Sequence, residues 1–442
     1  MNILQRLRER FWFVPAVMVV VAVLLAEALI AVDELAILPT LPGWLDAIIY
    51  RVGESGSRDI LGAIAGSSLA VAGTTFSITM AVLALTSSSY GPRLVRNFMA
   101  DRGNQAVLGV FVATFLYSLL VLRSIRALGD PGDPEAEVFI PHLAVNGAVV
   151  LAVLNIAVLI YFIHHISDSI QVSTIARRVR QDLHATVDRL YPEQIGRDLD
   201  VDARLPDRLE EEAAPVRGGR TGYVTYVDEE ALLDAARSGD VLLALRVVPG
   251  RYVLEDTVLC LVHPGERRDD GLAAKVRDAV VVSDARTPYQ DVDFAVQQLT
   301  ELAVRALSPG TNDPYTAVNA LDDLSSGLAL LAARELPSPW RADDDGVPRV
   351  HAPRPDAVSL TSDVLDHVRW YAGTAPSVMH AGLTLVRRVG RHAQDQALRA
   401  RLLTQVRLLT EAFERAGHQA HDVEVFRERA DEVARGLART GA

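Results

Sequence analysis

Residues 60–85 read ILGAIAGSSLAVAGTTFSITMAVLAL, twenty-six positions without a charged side chain. A helix needs about 20 apolar residues to cross a bilayer, so this stretch predicts a membrane span. Three neighbours share the pattern: FWFVPAVMVVVAVLLAEALIAV at 11–32, QAVLGVFVATFLYSLLVL at 105–122 and HLAVNGAVVLAVLNIAVLIYFI at 142–163. Soluble cores rarely carry four such runs in succession, so the reading is a four-helix membrane domain over 1–166. The first span has a basic start (Arg6, Arg8, Arg10), but it is longer than a signal-peptide core and Glu27 interrupts its cleavage zone, so it is expected to remain as a helix.

The rest of the chain has a different character. Of 442 residues, 23% are charged, yet mean hydropathy is +0.18, so apolar and charged residues are segregated along the sequence. That balance excludes a disordered chain. The net charge of −12 excludes nucleic acid as the expected partner. Lys275 is the only lysine, which makes any single arginine weak evidence for a selected site. Cys260 is the only cysteine, so neither an intrachain disulfide nor a thiolate cluster is possible. The histidines lack metal-ligand spacing and no nucleotide or nucleophile motif is present; no metal, cofactor or catalytic residue is expected. Arg6, Arg8 and Arg10, Arg93, Arg96 and Arg102, and Arg177, Arg178 and Arg180 flank alternate ends of the spans, while the other two loops are acidic. The positive-inside rule then places both termini in the cytoplasm of a multi-pass protein.

Within the second span, Gly62, Gly66, Ala70 and Gly73 form a small-residue stripe that lets another helix backbone approach. Its hydroxyls can bond back to their own carbonyls in a packed helix, or line a polar path for a small ion. The path candidates are Ser67, Thr74, Thr75, Ser77, Thr79 and Thr86, with a cytosolic mouth at Tyr90, Arg93 and Arg96 beside the helix-breaking Gly91-Pro92. Glu27 is an intramembrane carboxylate, functional by default unless it sits near the outer interface. Asn146 and Asn155 read as interhelical hydrogen-bond partners. His164 and His165 close the fourth span as candidate pH sensors; adjacent helical residues point apart, so they are not paired ligands.

Beyond the membrane domain, residues 167–192 predict a connecting helix on which Ile175, Val179, Leu183 and Val187 recur every four residues. A polar linker follows at 193–219, then a β-rich module at 220–285 with candidate strands GYVTYV, DVLLALRVV, RYVLEDTVLCLV and KVRDAVVVS and a helix over 228–236. The segment around Pro249-Gly250 resembles the small barrel-sandwich half of biotinyl and lipoyl carrier domains, but it holds no lysine to carry such a group. A helical domain is expected over 286–442, with 337–355 as a polar loop. There Ser308-Pro309-Gly310-Thr311-Asn312-Asp313-Pro314 reads as a tight turn with a helix cap. It is also a candidate anion loop through Ser308, Thr311, Asn312 and Asp313. The fold class is therefore a membrane α-helical domain with a cytosolic α+β portion, a small barrel-sandwich-like module followed by helices.

Three stretches, TFSITMAVLALTSSSYGPRLVRNFMADRGNQAVLGVFVATFLYSLLVLR (75–123), YFIHHISDSIQVSTI (161–175) and RALSPGTNDPYTAV (305–318), resemble a family of bacterial predicted inner-membrane proteins of unknown function. The resemblance implies four helices in a bacterial inner membrane and a cytosolic domain, with no activity to carry over. The expectation is a homo-oligomer in the lipid bilayer, channel-like or transporting a small ion, and regulated by its cytosolic part. The competing expectation is a membrane-anchored sensor or scaffold whose cytosolic part binds a small ligand or a partner protein.

Overall fold

The computed structural model describes residues 12–35, 52–90, 101–126, 138–169, 171–191 and 203–439. They fall into two compact units, 1–174 and 175–442.

The described residues of the first unit form four long helices: α1 Phe13–Glu34, α2 Glu54–Tyr90, α3 Arg102–Ser124 and α4 His142–Ser169. All four are long and apolar enough to cross a membrane. With 37 residues, α2 rises about 55 Å and outruns the roughly 30 Å hydrocarbon layer. The central helix is α3, half of whose apolar window is buried inside the unit, against 11–22% for the others. The close helix approaches use other glycines than the expected stripe. A side chain at Gly109 of α3 would strike Met18 and Pro15 of α1, and one at Gly147 of α4 would strike Tyr117. Asp33 at the end of α1 accepts from the backbone N–H groups of Leu143 and Ala144, capping α4 from a neighbouring helix.

The second unit opens with α5 Val172–Leu190. Helix α4 ends at Ser169 and α5 begins at Val172. Val179, Leu183 and Val187 are buried as their spacing predicts, joined by Ala176. The other elements in order are α6 Leu209–Glu212, β1 Ala214–Arg217, β2 Gly222–Val227, α7 Glu229–Gly239, β3 Leu242–Leu245, β4 Tyr252–Val253, β5 Val258–His263, α8 Asp270–Ala279, β6 Val280–Ser283, α9 Val292–Ala306, α10 Pro314–Ala332, β7 Trp340–Ala342, β8 Pro348–His351, α11 Ala357–Tyr371, α12 Pro376–His392, α13 Gln396–Arg415 and α14 Ala420–Arg439.

Two sheets form, one of five strands in the order β1-β5-β3-β8-β7 and one of three in the order β4-β2-β6. All pairings are antiparallel except β3 with β8. Three features differ from the sequence reading. The supposed linker contributes β1. KVRDAVVVS is the end of α8 followed by β6, because Asp269 caps a helix whose inner face is Leu272, Ala273, Val276 and Ala279. The supposed polar loop at 337–355 holds the β7–β8 hairpin, in which Asp343 closes the turn by accepting from the N–H groups of Asp345 and Val347.

Candidate functional site

Helix α2 has one face buried in its own unit and one exposed. Ser57, Leu61, Ala65, Ser68, Ala72, Thr75, Thr79 and Val82 recur at three- and four-residue steps and are buried against the unit. The opposite side presents Gly62, Ala63, Gly66, Ser67, Ala70, Gly73, Thr74, Ser77 and Ala81, all exposed. No heavy atom lies within 4 Å of where a Cβ would stand at Gly62, Gly66 or Gly73. Larger side chains appear only at its flanks, Leu69 and Phe76 on one and Ile78 and Leu85 on the other. The exposed sides of α1 and α4 differ: they are built of Val17, Val20, Val21 and Leu24, and of Val150, Val153, Ile156, Ile160 and Ile163. Those bulky branched side chains suit lipid; the small-residue face suits another helix backbone.

The structure therefore divides the path candidates. Ser67, Thr74 and Ser77 lie on the exposed face, donating to the carbonyls of Ile64, Ala70 and Gly73 at 3.1, 3.0 and 2.9 Å. Their protons are spent on the helix, so their oxygens turn lone pairs outward. Thr75 and Thr79 face inward and donate to Ala72 and Thr75 carbonyls at 2.9 and 2.8 Å. Thr86 and Tyr90 belong to α2 but their side chains lie outside the described residues, as do Arg93 and Arg96.

Inside the unit, polar groups are tied between helices. Thr114 of α3 donates to Asn155 Oδ1 at 3.1 Å, and Asn155 Nδ2 donates to Ser68 of α2 at 3.0 Å. Asn155 thus has the interhelical role its sequence position predicts, and Asn146 Nδ2 donates to the His142 carbonyl at 2.8 Å. Ala72, Phe111 and Phe162 are buried together with Val82 and Val107 in one apolar cluster.

Glu27 is exposed on α1. The two histidines part company. His164 is exposed and reaches Asp168 at 3.5 Å. His165 is mostly buried, stacks on Tyr161 and meets Asp101 at 3.0 Å. Asp101 in turn caps α3 by accepting from Gly103 N at 2.8 Å, so His165 ties the end of α4 to the start of α3. Asp101 and Asn104 were not legible as site residues, since nothing in a polar stretch before a span marks which side chains turn inward.

In the second unit the loop at 308–313 comes together as a turn. Ser308 Oγ donates to Thr311 Oγ1 at 3.2 Å, and Asn312 adopts a left-handed φ of 44°. Asp313 accepts from Thr316 N and Oγ1 at 3.1 and 2.6 Å, and these bonds hold its carboxyl below its ordinary value. An ionised carboxylate thus already occupies the positive end of α10, which is where a bound anion would sit. Among the described residues no three His, Cys, Asp or Glu side chains converge as a metal site would require. Trp370 and Tyr371 are more than half exposed, with His367 against both rings.

Comparison with known proteins agrees with the membrane unit. Residues 8–388 match the model of a family described as "Predicted membrane protein (DUF2254)". An uncharacterized protein of Mycobacterium tuberculosis and one of Mycobacterium bovis are each 33% identical to this chain over 387 residues, 86% of this chain and 73% of the relative. No solved structure matches.

Proposed function

The chain belongs to the DUF2254 family of predicted membrane proteins, and from that premise we propose that it forms a homo-oligomer in which the exposed face of α2 lines a channel-like or transport path for small cations. The observation that carries this reading is the contrast between the faces. Alone among the four helices, α2 turns a continuous surface of Gly, Ala, Ser and Thr away from its own unit. Against lipid that surface forfeits packing; against α2 of another copy it permits close approach. Hydroxyls that have already donated their protons offer only acceptor oxygens, which replace water around a cation and repel an anion. The exposed Glu27 adds a second reason for assembly, since an ionisable group on a membrane helix is costly without a partner. The distribution of arginines supports an inner-membrane setting with both termini cytoplasmic, which makes the second unit a cytosolic regulator. No catalytic residue is assigned.

Flux through the purified full chain in liposomes, with sodium, potassium and chloride in turn, tests the reading. Cation flux that falls on Ser77→Leu and chloride flux near the protein-free background are expected. Absence of flux for every ion, with insertion verified, would overturn it. The alternative, a membrane-anchored sensor or scaffold, would then stand, and the exposed Trp370 and Tyr371 surface would be its first place to look for a partner.

A further inference from the structure

Asn104 stands on the first turn of α3, is 4% exposed, and has neither its amide nitrogen nor its amide oxygen hydrogen-bonded. It lines a small cleft between helices together with Thr75, Phe76, Thr79, Val107 and Phe162. A buried amide with two donors and an acceptor left unpaired is costly in a protein interior. The cleft has room for about one water molecule.

We propose that this cleft is a resident water site that bridges α2 to α3. The chemistry of the lining selects the ligand. Thr75 and Thr79 have donated their protons to their own helix, so each presents a lone pair. Asn104 adds one acceptor and one donor group. The lining carries no charged side chain. A bare cation satisfies the oxygens but is repelled by the amide N–H groups. An anion accepts from the amide but is repelled by the hydroxyl oxygens. Water donates to the oxygens and accepts from Asn104 Nδ2 at once. The site is independent of any conducting role for the opposite face of α2.

Hydroxyl-radical labelling by short X-ray pulses, read by mass spectrometry on the full chain in lipid nanodiscs, marks side chains next to bound water. Phe162 and Phe111 are both 2% exposed, but only Phe162 lines the cleft. Phe162 is expected to label several-fold faster than Phe111. Asn104→Leu is expected to bring Phe162 down to the Phe111 rate. The double replacement Thr75→Val with Thr79→Val makes the same test if the first variant does not fold. Equal labelling of the two rings in the unaltered protein would overturn the proposal, and so would fast labelling of Phe162 that survives the replacements.

Discussion

Cys260 sits fully buried in β5, and desolvation pushes its thiol up to about 12. At neutral pH it is protonated and a poor nucleophile. The native full chain is therefore expected to resist iodoacetamide under conditions that alkylate the denatured chain completely, as a mass shift would show; labelling of the native form would contradict the packing of β5. Arg349 makes a second residue-scale case. Its hydrogen bonds hold Asp240 and Asp343 below their ordinary value of 3.8, Asp240 with help from Arg267. A carboxylate lowered on folding contributes stability that is fully present above its ordinary value and is lost as pH falls through the lowered one. Arg349→Ala is thus expected to lower the stability of the full chain at neutral pH, where that contribution is fully present, and to move acid unfolding to higher pH, both read by circular dichroism. At this scale the sequence named the hydroxyls of α2 but not their directions. When lipid and protein are both apolar, hydropathy does not fix which side of a helix faces which, so inward Thr75 and Thr79 and outward Ser67, Thr74 and Ser77 read alike.

Helix α5 shows what pattern alone can deliver. Its four-residue repeat located the buried stripe, because one side meets water and the other a core. The partner could not be read. Leu183 seats against Gly327 of α10, where any side chain would collide with it. Around it Arg180 reaches Asp323 at 2.7 Å, His184 reaches Ser326 at 2.8 Å and Arg334 reaches Asp188 at 2.7 Å. Gly327→Leu is expected to cost about 1–3 kcal/mol by overpacking, seen as a lower melting temperature and faster proteolysis within 172–190. Unchanged values would show that α5 does not dock there. The cap of α10 permits a similar test: Asp313→Ala should cost about 0.5–2 kcal/mol, measurable as a reduced midpoint of thermal unfolding. The β7–β8 hairpin escaped sequence reading for a physical reason. Its strands are three and four residues long, and β8 joins β3 in parallel across about a hundred intervening residues, a pairing with no local signal.

For the whole molecule, the four spans were legible because runs of apolar residues dominate every other signal; each is a helix long and apolar enough to cross a membrane, and the family is described as one of predicted membrane proteins. The part each helix plays in the bundle was not legible: α3 became the centre through Gly109 and Tyr117, and α2 was left with its small face unpacked. We propose that this face is where copies meet and cations pass. Gly66→Leu is accordingly expected to reduce the oligomer to smaller species in native mass spectrometry, while Val150→Leu on the exposed side of α4 leaves it intact. The most direct measurement places single cysteines on α2 in a Cys260→Ser background and follows cation flux during treatment with a water-soluble thiol reagent. Cysteine at Thr74 or Ser77 is expected to make flux sensitive to the reagent, while cysteine at Thr75 or Thr79, on the packed face, is not. Flux that is blocked from the packed face and untouched from the exposed one would contradict it.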